Sequence, residues 1–231
     1  MARRSASSRD IDAAPTAAVD TRDQLKRVAM RLFAQRGVDG VTVRDIVNAS
    51  GQRNSASIHY YFGTKEALVR ELILDGAQRI DLRRHAELDA LEAGEKPVAL
   101  RQVLKALVDS SFSEGDGVAG SYLQFIAMLR MQHRDVFIDV LDDQWNSAYQ
   151  RALKLLERYL DHLPRRIVKQ RLAFMGIYLG AALAEREAAM ADPQRQQSSL
   201  KGRFTLENLV DILEAMLLTP PSDQTLAEVT A

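Results

Sequence analysis

A short polar stretch, RNSASIHYYFGTK from Arg53 to Lys65, brings amide, hydroxyl, imidazole and phenol groups close together. An asparagine amide can bond two edge atoms of an adenine, and a serine hydroxyl can bond either type of base. Tyrosine hydroxyls and a histidine N–H can donate to phosphate oxygens, which fixes register rather than sequence. The stretch therefore favours hydrogen bonding to the bases and phosphates of a nucleic acid.

Cationic and helix-starting residues flank this stretch and extend the candidate surface. Arg44 and Arg53 could each read a guanine or only hold a phosphate, and for Arg44 both interpretations stand open. Thr42 and Lys65 lie at predicted helix N-termini, where free backbone N–H groups and the helix dipole favour a phosphate. The predicted DNA contacts are Thr42, Arg44, Arg53, Asn54, Ser55, Ser57, His59, Tyr60, Tyr61 and Lys65.

Apolar and aromatic residues of the same stretch should anchor it to a core. The helical spacing predicts that Ile58 and Phe62 face inward. The pair Tyr60 and Tyr61 has a second interpretation, packing under the next helix, and we expect one of the two to pack in that way.

The elements that must hold this stretch are three short helices near the N-terminus. A first helix over 21–36 has apolar residues at the spacing of one helical face, and Gly37 suits its C-terminal end. A second helix begins after Thr42, Ser50–Gly51 forms a turn, and a third helix covers 54–61. A helix, a glycine turn and a second helix are typical of a helix-turn-helix DNA reader, whose second helix enters the major groove.

The remainder of the chain predicts helices only, beginning with a long one that Thr64 caps and that runs to Leu91. The fold class is all-α, with an N-terminal three-helix head and a larger C-terminal helical bundle. We divide the chain into a disordered arm (1–20), the helix-turn-helix domain (21–66), a helical body (67–219) and a disordered tail (220–231). Further body helices are predicted at 97–113, 120–132, 134–162 (continuous or broken), 164–191 and 204–218.

The two C-terminal helices, 164–191 and 204–218, are apolar on most of their sides. A helix of that kind is buried on most sides. Two such helices from each chain can form a four-helix interface in a homodimer, and the alternative is the ordinary core of a monomer.

Methionines and aromatic residues of the middle helices could line a pocket for a small molecule, and core packing is the alternative for each of them. Few charges fall on the same faces, so the pattern favours a mostly apolar ligand. The predicted ligand-binding residues are Phe125, Met128, Met131, Trp145, Tyr149, Phe174 and Tyr178, with Phe137 as a further candidate.

Several classes of function lack support in the sequence. The chain has no cysteine, so it offers no disulfide and no thiolate, and His133 and His162 show no metal-ligand spacing. No catalytic triad, phosphate-cradling glycine loop or carboxylate pair is recognisable, so we expect no enzyme, no metal and no cofactor.

Charge and hydropathy suit a cytoplasmic protein that binds DNA. The chain has 31 basic and 31 acidic residues, but residues 1–80 carry a net charge of +4 and the remainder −4. A basic head is the electrostatic footprint of a DNA-binding domain. No apolar run approaches the length of a membrane span, and no hydrophobic signal segment begins the chain.

The stretch from Thr21 to Leu72 resembles the tetracycline-repressor (TetR) family of bacterial transcriptional regulators. The resemblance rests on LFAQRGVDGVTVRDIV, on the turn Ala49–Gly51, and on HYYFGTKEAL. One departure is a turn one residue longer than is common in the family, between Gly51 and Phe62. Positions before Ile58 therefore transfer less directly than those after it.

This resemblance implies roles for individual residues. His59, Tyr61 and Lys65 match phosphate-binding positions, Tyr60 matches a position that contacts a base or a thymine methyl group, and Arg44 matches an arginine that contacts bases in some members. For the body it implies a small-molecule site and a homodimer formed by the last two long helices.

The hypothesis is a homodimeric repressor that a small, mostly apolar ligand releases from a palindromic operator. One alternative keeps DNA binding and drops the sensor, giving a constitutive DNA-binding protein. The other is a helical protein-interaction module in which the helix-turn-helix is only structural.

Overall fold

The computed structural model describes residues 14–52, 54, 56–112, 121–141, 145–195, 198–202 and 204–230. Over these residues the chain is helical and contains no strand, which confirms the all-α prediction. The helices are α1 (Ala14–Arg36), α2 (Val43–Ala49), α3 (Ala56–Phe62), α4 (Lys65–Glu92), α5 (Leu100–Asp109), α6 (Tyr122–Gln132), α7 (Arg134–Leu141), α8 (Ser147–Glu157), α9 (Arg165–Ala191), α10 (Phe204–Leu218) and α11 (Asp223–Thr230).

Local signals set the helix ends in the head. Thr42 Oγ1 accepts a hydrogen bond from the backbone N–H of Asp45 at 3.1 Å, and the Asp45 carboxylate accepts from the N–H of Thr42 at 2.8 Å. This reciprocal pair is a capping box. Gly37 ends α1 with φ +73° and Gly51 makes the turn after α2 with φ +71°, in the left-handed region that glycine enters without a Cβ penalty.

Both predicted disordered ends were wrong in part. The first helix begins at Ala14 rather than Thr21, since Pro15 suits a first helical turn and alanines favour helix; residues 1–13 lie outside the described residues. In the tail, α11 covers Asp223–Thr230, and Ser222 caps it by accepting from the N–H of Thr225 at 3.3 Å.

One internal boundary also differs from the prediction. The third helix begins at Ala56 rather than Asn54, because the Asn54 side chain caps it and accepts from the N–H of Ala56 at 2.9 Å. The segment over 134–162, for which both a continuous and a broken helix were open, contains two helices, α7 and α8.

The helices build two hydrophobic cores. The first joins α1–α3 and the N-terminal half of α4 to α6 and α7, and in it Phe33 stacks on Phe125 with ring centroids 6.0 Å apart. The second joins the C-terminal half of α4 to α5, α8, α9 and α10. The head therefore shares its core with part of the body, across the predicted boundary at residue 66.

Helix α9 is long and apolar enough to cross a membrane by length and composition, the one such helix among the described residues. A core helix of a soluble protein passes the same test. Here one face of α9 is buried in the second core, with Leu172, Met175 and Leu179, while Phe174 and Ile177 on another face are exposed. Its composition thus reflects one buried face and one exposed apolar face.

Candidate nucleic-acid interface and body cavity

Helix α3 presents a polar face to solvent. Ile58 and Phe62 are buried in the first core, as predicted, and they anchor the helix from beneath. His59 and Tyr60 lie on the outer side, and Tyr60 is 82% exposed. The helix therefore exposes His59 and Tyr60 to solvent, which is the arrangement that a recognition helix requires.

Tyr60 and Tyr61 differ in burial. Tyr61 is half-buried and packs against the first core, whereas Tyr60 projects outward and meets Tyr61 edge-on, with ring centroids 4.9 Å apart. The prediction that one tyrosine packs is confirmed.

His59 has a defined hydrogen bond at the end of α3. Its Nδ1 lies 2.7 Å from the carbonyl oxygen of Gly63, and because a carbonyl only accepts, Nδ1 carries the hydrogen. The other ring nitrogen, Nε2, is left to face solvent or DNA. Donation from Nε2 to a phosphate requires the doubly protonated ring.

Lys65 holds the loop between α1 and α2. Its Nζ donates to the carbonyl oxygens of Val38 and Val41, both at 3.1 Å. An ammonium group has three hydrogens, so one remains for a phosphate. Sequence reasoning missed this structural contact, because it joins residues far apart in the chain.

Three other predicted contacts are engaged locally. The Thr42 hydroxyl donates to the Asp45 carboxylate at 2.6 Å, and the Ser57 hydroxyl donates to the carbonyl oxygen of Asn54 at 2.8 Å. The Asn54 amide NH₂ is not used by the cap that its carbonyl oxygen forms. Arg44 is exposed on α2. The remaining two predicted contacts, Arg53 and Ser55, lie outside the described residues.

A cavity of about 1060 Å³ lies in the body between α4, α6, α7, α8 and α9. Trp145, Tyr149 and Phe137 line it, as the sequence suggested they could. Trp145 has φ 56°, a conformation that a bulky residue rarely adopts and that is often found at functional sites.

The other predicted ligand-binding residues do not line this cavity. Phe125 is fully buried in the stack with Phe33, Met128 is half-buried, and Met131 is 85% exposed. Phe174 and Tyr178 lie on the exposed side of α9. Helical spacing identifies an apolar face but does not say whether the face meets a core, a cavity or a partner.

Polar groups of the cavity were not singled out from the sequence. Arg84 is only 8% exposed; its Nε donates to Ser110 Oγ at 3.1 Å and its Nη2 to Ser111 Oγ at 3.3 Å. Burial lowers the pKa of Arg84 to about 10, so the group stays charged at neutral pH. Within a helix as rich in charge as α4, Arg84 resembles a surface residue, and only the packing distinguishes it.

A second buried charge links α9 to α6. The Glu187 carboxylate accepts from the backbone N–H of Gln124 at 2.8 Å, in the first turn of α6. Burial raises the pKa of Glu187 to about 7, although hydrogen bonds from the N–H groups of Gln124, Leu123 and Tyr122 act to lower it. The group titrates near neutrality at a junction between two body helices.

Comparison with known protein families connects this architecture to a class of proteins. Residues 26–72 match the family described as bacterial regulatory proteins, tetR family, and residues 101–216 match the tetracyclin repressor-like C-terminal domain. The chain belongs to the tetR family. It is therefore a DNA-binding transcriptional regulator and not an enzyme.

Individual relatives of this tetR-family protein agree. The chain is 38% identical over 61 residues to the HTH-type transcriptional repressor KstR2 of Mycolicibacterium smegmatis, covering 26% of this chain and 29% of that protein. It is 29% identical over 136 residues to KstR2 of Rhodococcus jostii, covering 52% of this chain and 63% of that protein. The chain thus matches less than two thirds of the length of either relative.

A solved structure extends the likeness of fold to the whole chain. The ketosteroid transcriptional regulator KstR2 of Mycobacterium tuberculosis is 20% identical, and the alignment covers 90% of this chain and 95% of that one with a TM-score of 0.56. At this identity the match concerns the fold alone. The two chains share the arrangement of an N-terminal head and a helical body.

Proposed function

We propose that this tetR-family protein is a cytoplasmic homodimeric repressor, and that a small molecule bound in the cavity releases it from a palindromic operator. The observation that supports this best is the position of α6. Tyr122 and Ile126 of α6 line the cavity, while Phe125 and Leu129 of the same helix belong to the first core beside α1. A ligand that moves α6 would therefore move the packing surface of the head.

Two further contacts join the α6–α7 segment to the head. A Cβ added at Gly37 would come within 2.6 Å of the Gln132 side chain, so the end of α1 abuts the end of α6. Arg70 Nη2 lies 2.6 Å from the Asp139 carboxylate, which connects the N-terminal part of α4 to α7. A ligand shifts this arrangement only by its difference in affinity between the DNA-bound and released conformations.

Exposed apolar side chains support the homodimer. Six large ones project from α9 and α10, the helices that the sequence indicated for dimerisation, and a concentration of so many on two helices is unusual for a monomer surface. A two-fold pairing would bury them and present two heads to two half-sites. These side chains are Phe174, Ile177, Tyr178, Met190, Phe204 and Leu218.

The α3 surface would read the operator. Tyr60 and the Asn54 amide would meet base edges, while Tyr61, His59 and Lys65 would hold phosphates. Repression rather than activation is favoured by the KstR2 relatives, which are named as transcriptional repressors.

The test is a binding selection from sheared genomic DNA, carried out with the wild-type protein and with Tyr60→Ala, which lacks a proposed base contact. The wild-type protein should enrich a short palindromic motif, because two symmetric heads read two half-sites. Tyr60→Ala should enrich it weakly or not at all. Enrichment of a single unrepeated half-site would contradict the homodimer, and enrichment of no sequence would contradict operator-specific repression.

A further inference from the structure

The cavity has a cationic end among the described residues that line it. Its charged side chains are Asp81, Arg84 and Arg130. Aliphatic and aromatic residues, Ile126 and Leu179 among them, form most of the remaining wall, and a smaller number of polar side chains complete it. An amphipathic lining of this kind selects a ligand with an apolar body and a polar end.

Arg84 is a buried cation that makes no salt bridge with another described residue. The hydrogen bonds of its guanidinium go to the hydroxyl groups of Ser110 and Ser111, and its carbon Cζ lies 5.6 Å from the centroid of the Tyr149 ring. Carboxylates on α4 act on it only from a greater distance. Burial of a charge with no counter-charge in contact is costly, so an entering anion would gain from meeting it.

Asp81 offsets part of the positive charge at this end of the cavity. One of its carboxylate oxygens accepts from the backbone N–H of Ala148 at 2.9 Å, and the other accepts from Ser147 Oγ at 3.1 Å. Both bonds lie at the N-terminus of α8, where a helix favours negative charge. His85 is a further neighbour, with Nε2 3.7 Å from the carboxylate. Asp81 thus holds α8 against α4, and the two arginines and one aspartate that line the cavity leave one net positive charge.

Arg130 and Tyr149 complete the cationic end. The Arg130 guanidinium lies 5.5 Å from the centroid of Phe137, and its Nη1 passes close to Gly180, where an added Cβ would be 3.6 Å away. The Tyr149 hydroxyl lies against Gly176, where an added Cβ would be 2.5 Å away. Gly176 and Gly180 are one turn apart on α9, so Arg130 and Tyr149 cross the same short segment.

Both guanidinium groups act on the Tyr149 hydroxyl. Burial raises the pKa of Tyr149, and the nearby charges of Arg84 and Arg130 oppose that rise. The geometry agrees, because Arg84 Cζ lies 5.6 Å from the Tyr149 ring, and the Tyr149 hydroxyl and Arg130 Nη1 lie one turn apart along α9. Both guanidinium groups are thus near Tyr149, and a guanidinium can bond two oxygens of a carboxylate or phosphate at once.

We propose that the ligand of this cavity is an amphipathic anion, whose carboxylate or phosphate oxygens bind Arg84, Arg130 and Tyr149 while its apolar body lies along Ile126 and Leu179. The inference rests on the proposed function, in which this cavity is the effector site. It replaces the mostly apolar ligand expected from the sequence with one that carries a negative charge.

The test uses two fluorescent probes that differ in one anionic group. N-phenyl-1-naphthylamine is neutral, and 1-anilinonaphthalene-8-sulfonate has the same aromatic skeleton with a sulfonate. Both are titrated into the full-length protein and into Arg84→Met, Arg84→Lys and Arg130→Met. The matched control is Arg158→Met, which removes an exposed arginine beyond α8 that does not line the cavity.

We expect both probes to bind the wild-type protein at one site per chain. Loss of a charge-assisted hydrogen bond should weaken sulfonate binding by about tenfold in Arg84→Met and Arg130→Met, with the neutral probe unchanged. Arg84→Lys should retain part of the sulfonate affinity, and Arg158→Met should match the wild-type protein. Displacement of the neutral probe by dodecanoate or by dodecyl phosphate, at lower concentration than by dodecanol, would support the proposal and distinguish the two anions.

Two failures are distinguishable. If neither probe binds the wild-type protein, the cavity is not a ligand site and the sensor part of the proposed function is overturned. If both bind and neither arginine variant loses sulfonate affinity selectively, only the anionic ligand is overturned. Arg130 is exposed, so Arg130→Met decides the matter even if Arg84→Met does not fold.

Discussion

The α3 surface and the body cavity are assembled over very different lengths of chain. The predicted DNA contacts all lie between Thr42 and Lys65, on two short helices and the turns beside them. The cavity takes side chains from five helices and spans Ala77 to Leu183. Capping residues and glycines position the first site, whereas packing of distant helices creates the second.

This contrast explains why one site follows from short-range rules and the other does not. A helix start at Thr42 and a core-facing Ile58 leave α3 one way to present its polar side. No comparable rule determines which side of α6 meets the cavity. The two regions nevertheless share α6, which contributes residues to the first core and to the cavity.

The largest expected effect separates a buried aromatic residue of α6 from an exposed one of α3. Phe125→Ala should lower the free energy of unfolding by about 3–5 kcal/mol, since it leaves a void in the first core. Tyr60→Ala should change it by no more than about 0.5 kcal/mol, because the side chain is exposed. Urea denaturation measures both free energies of unfolding. Equal losses would contradict the distinction between a buried core residue and an exposed residue that contributes little to stability.

The next effect concerns pH and the α6–α9 junction. The pKa of Glu187 is raised to about 7, so between about 4.5 and 7 the folded state binds more protons than the unfolded state. Stability from this group is therefore greatest at low pH and falls by about 3 kcal/mol as pH rises through that window, then levels off. Glu187→Gln should lack this slope in urea denaturation, and parallel profiles for the two proteins would overturn the assignment.

A third comparison separates the two faces of α9. Ile177→Glu places a charge on the exposed apolar face and should give a monomer, with operator affinity reduced about 100-fold or more by loss of the second head. Ala86→Glu adds the same charge at an exposed position of α4 and should leave the dimer intact. Sedimentation velocity and DNA-binding anisotropy measure both effects. A dimeric Ile177→Glu protein would place the interface elsewhere.

The smallest effect tests the double role of Lys65. Lys65→Met removes the proposed phosphate contact and the hydrogen bonds to the α1–α2 loop, so it should weaken binding to all DNA sequences about equally. The slope of log affinity against log salt should fall by about one. The control, Lys96→Met, removes an exposed cation between α4 and α5 and should leave the slope unchanged. An unchanged slope in both variants would restrict Lys65 to its structural contact.

Most of the head and the helix content of the body were predictable, because caps, glycines and apolar spacing act over a few residues. Thr42 and Gly37 lie where those rules place them. Which of the candidate residues line the cavity was not predictable, since Phe174 and Tyr149 are both aromatic residues of body helices and face different environments. The extent of helix at both ends of the chain was underestimated. The alanine-rich start of α1 and the segment capped by Ser222 form helix although neither has a strong apolar period.

Hydrogen exchange tests whether α6 couples the cavity to the head. Exchange of backbone amides is measured in the full-length protein with and without saturating N-phenyl-1-naphthylamine. Coupling through α6 predicts altered protection from exchange in α6 itself. It also predicts altered protection at the end of α1 and in the loop over 37–42, which pack against α6. Protection changes confined to cavity-lining segments, with the head unaltered, would contradict the coupling.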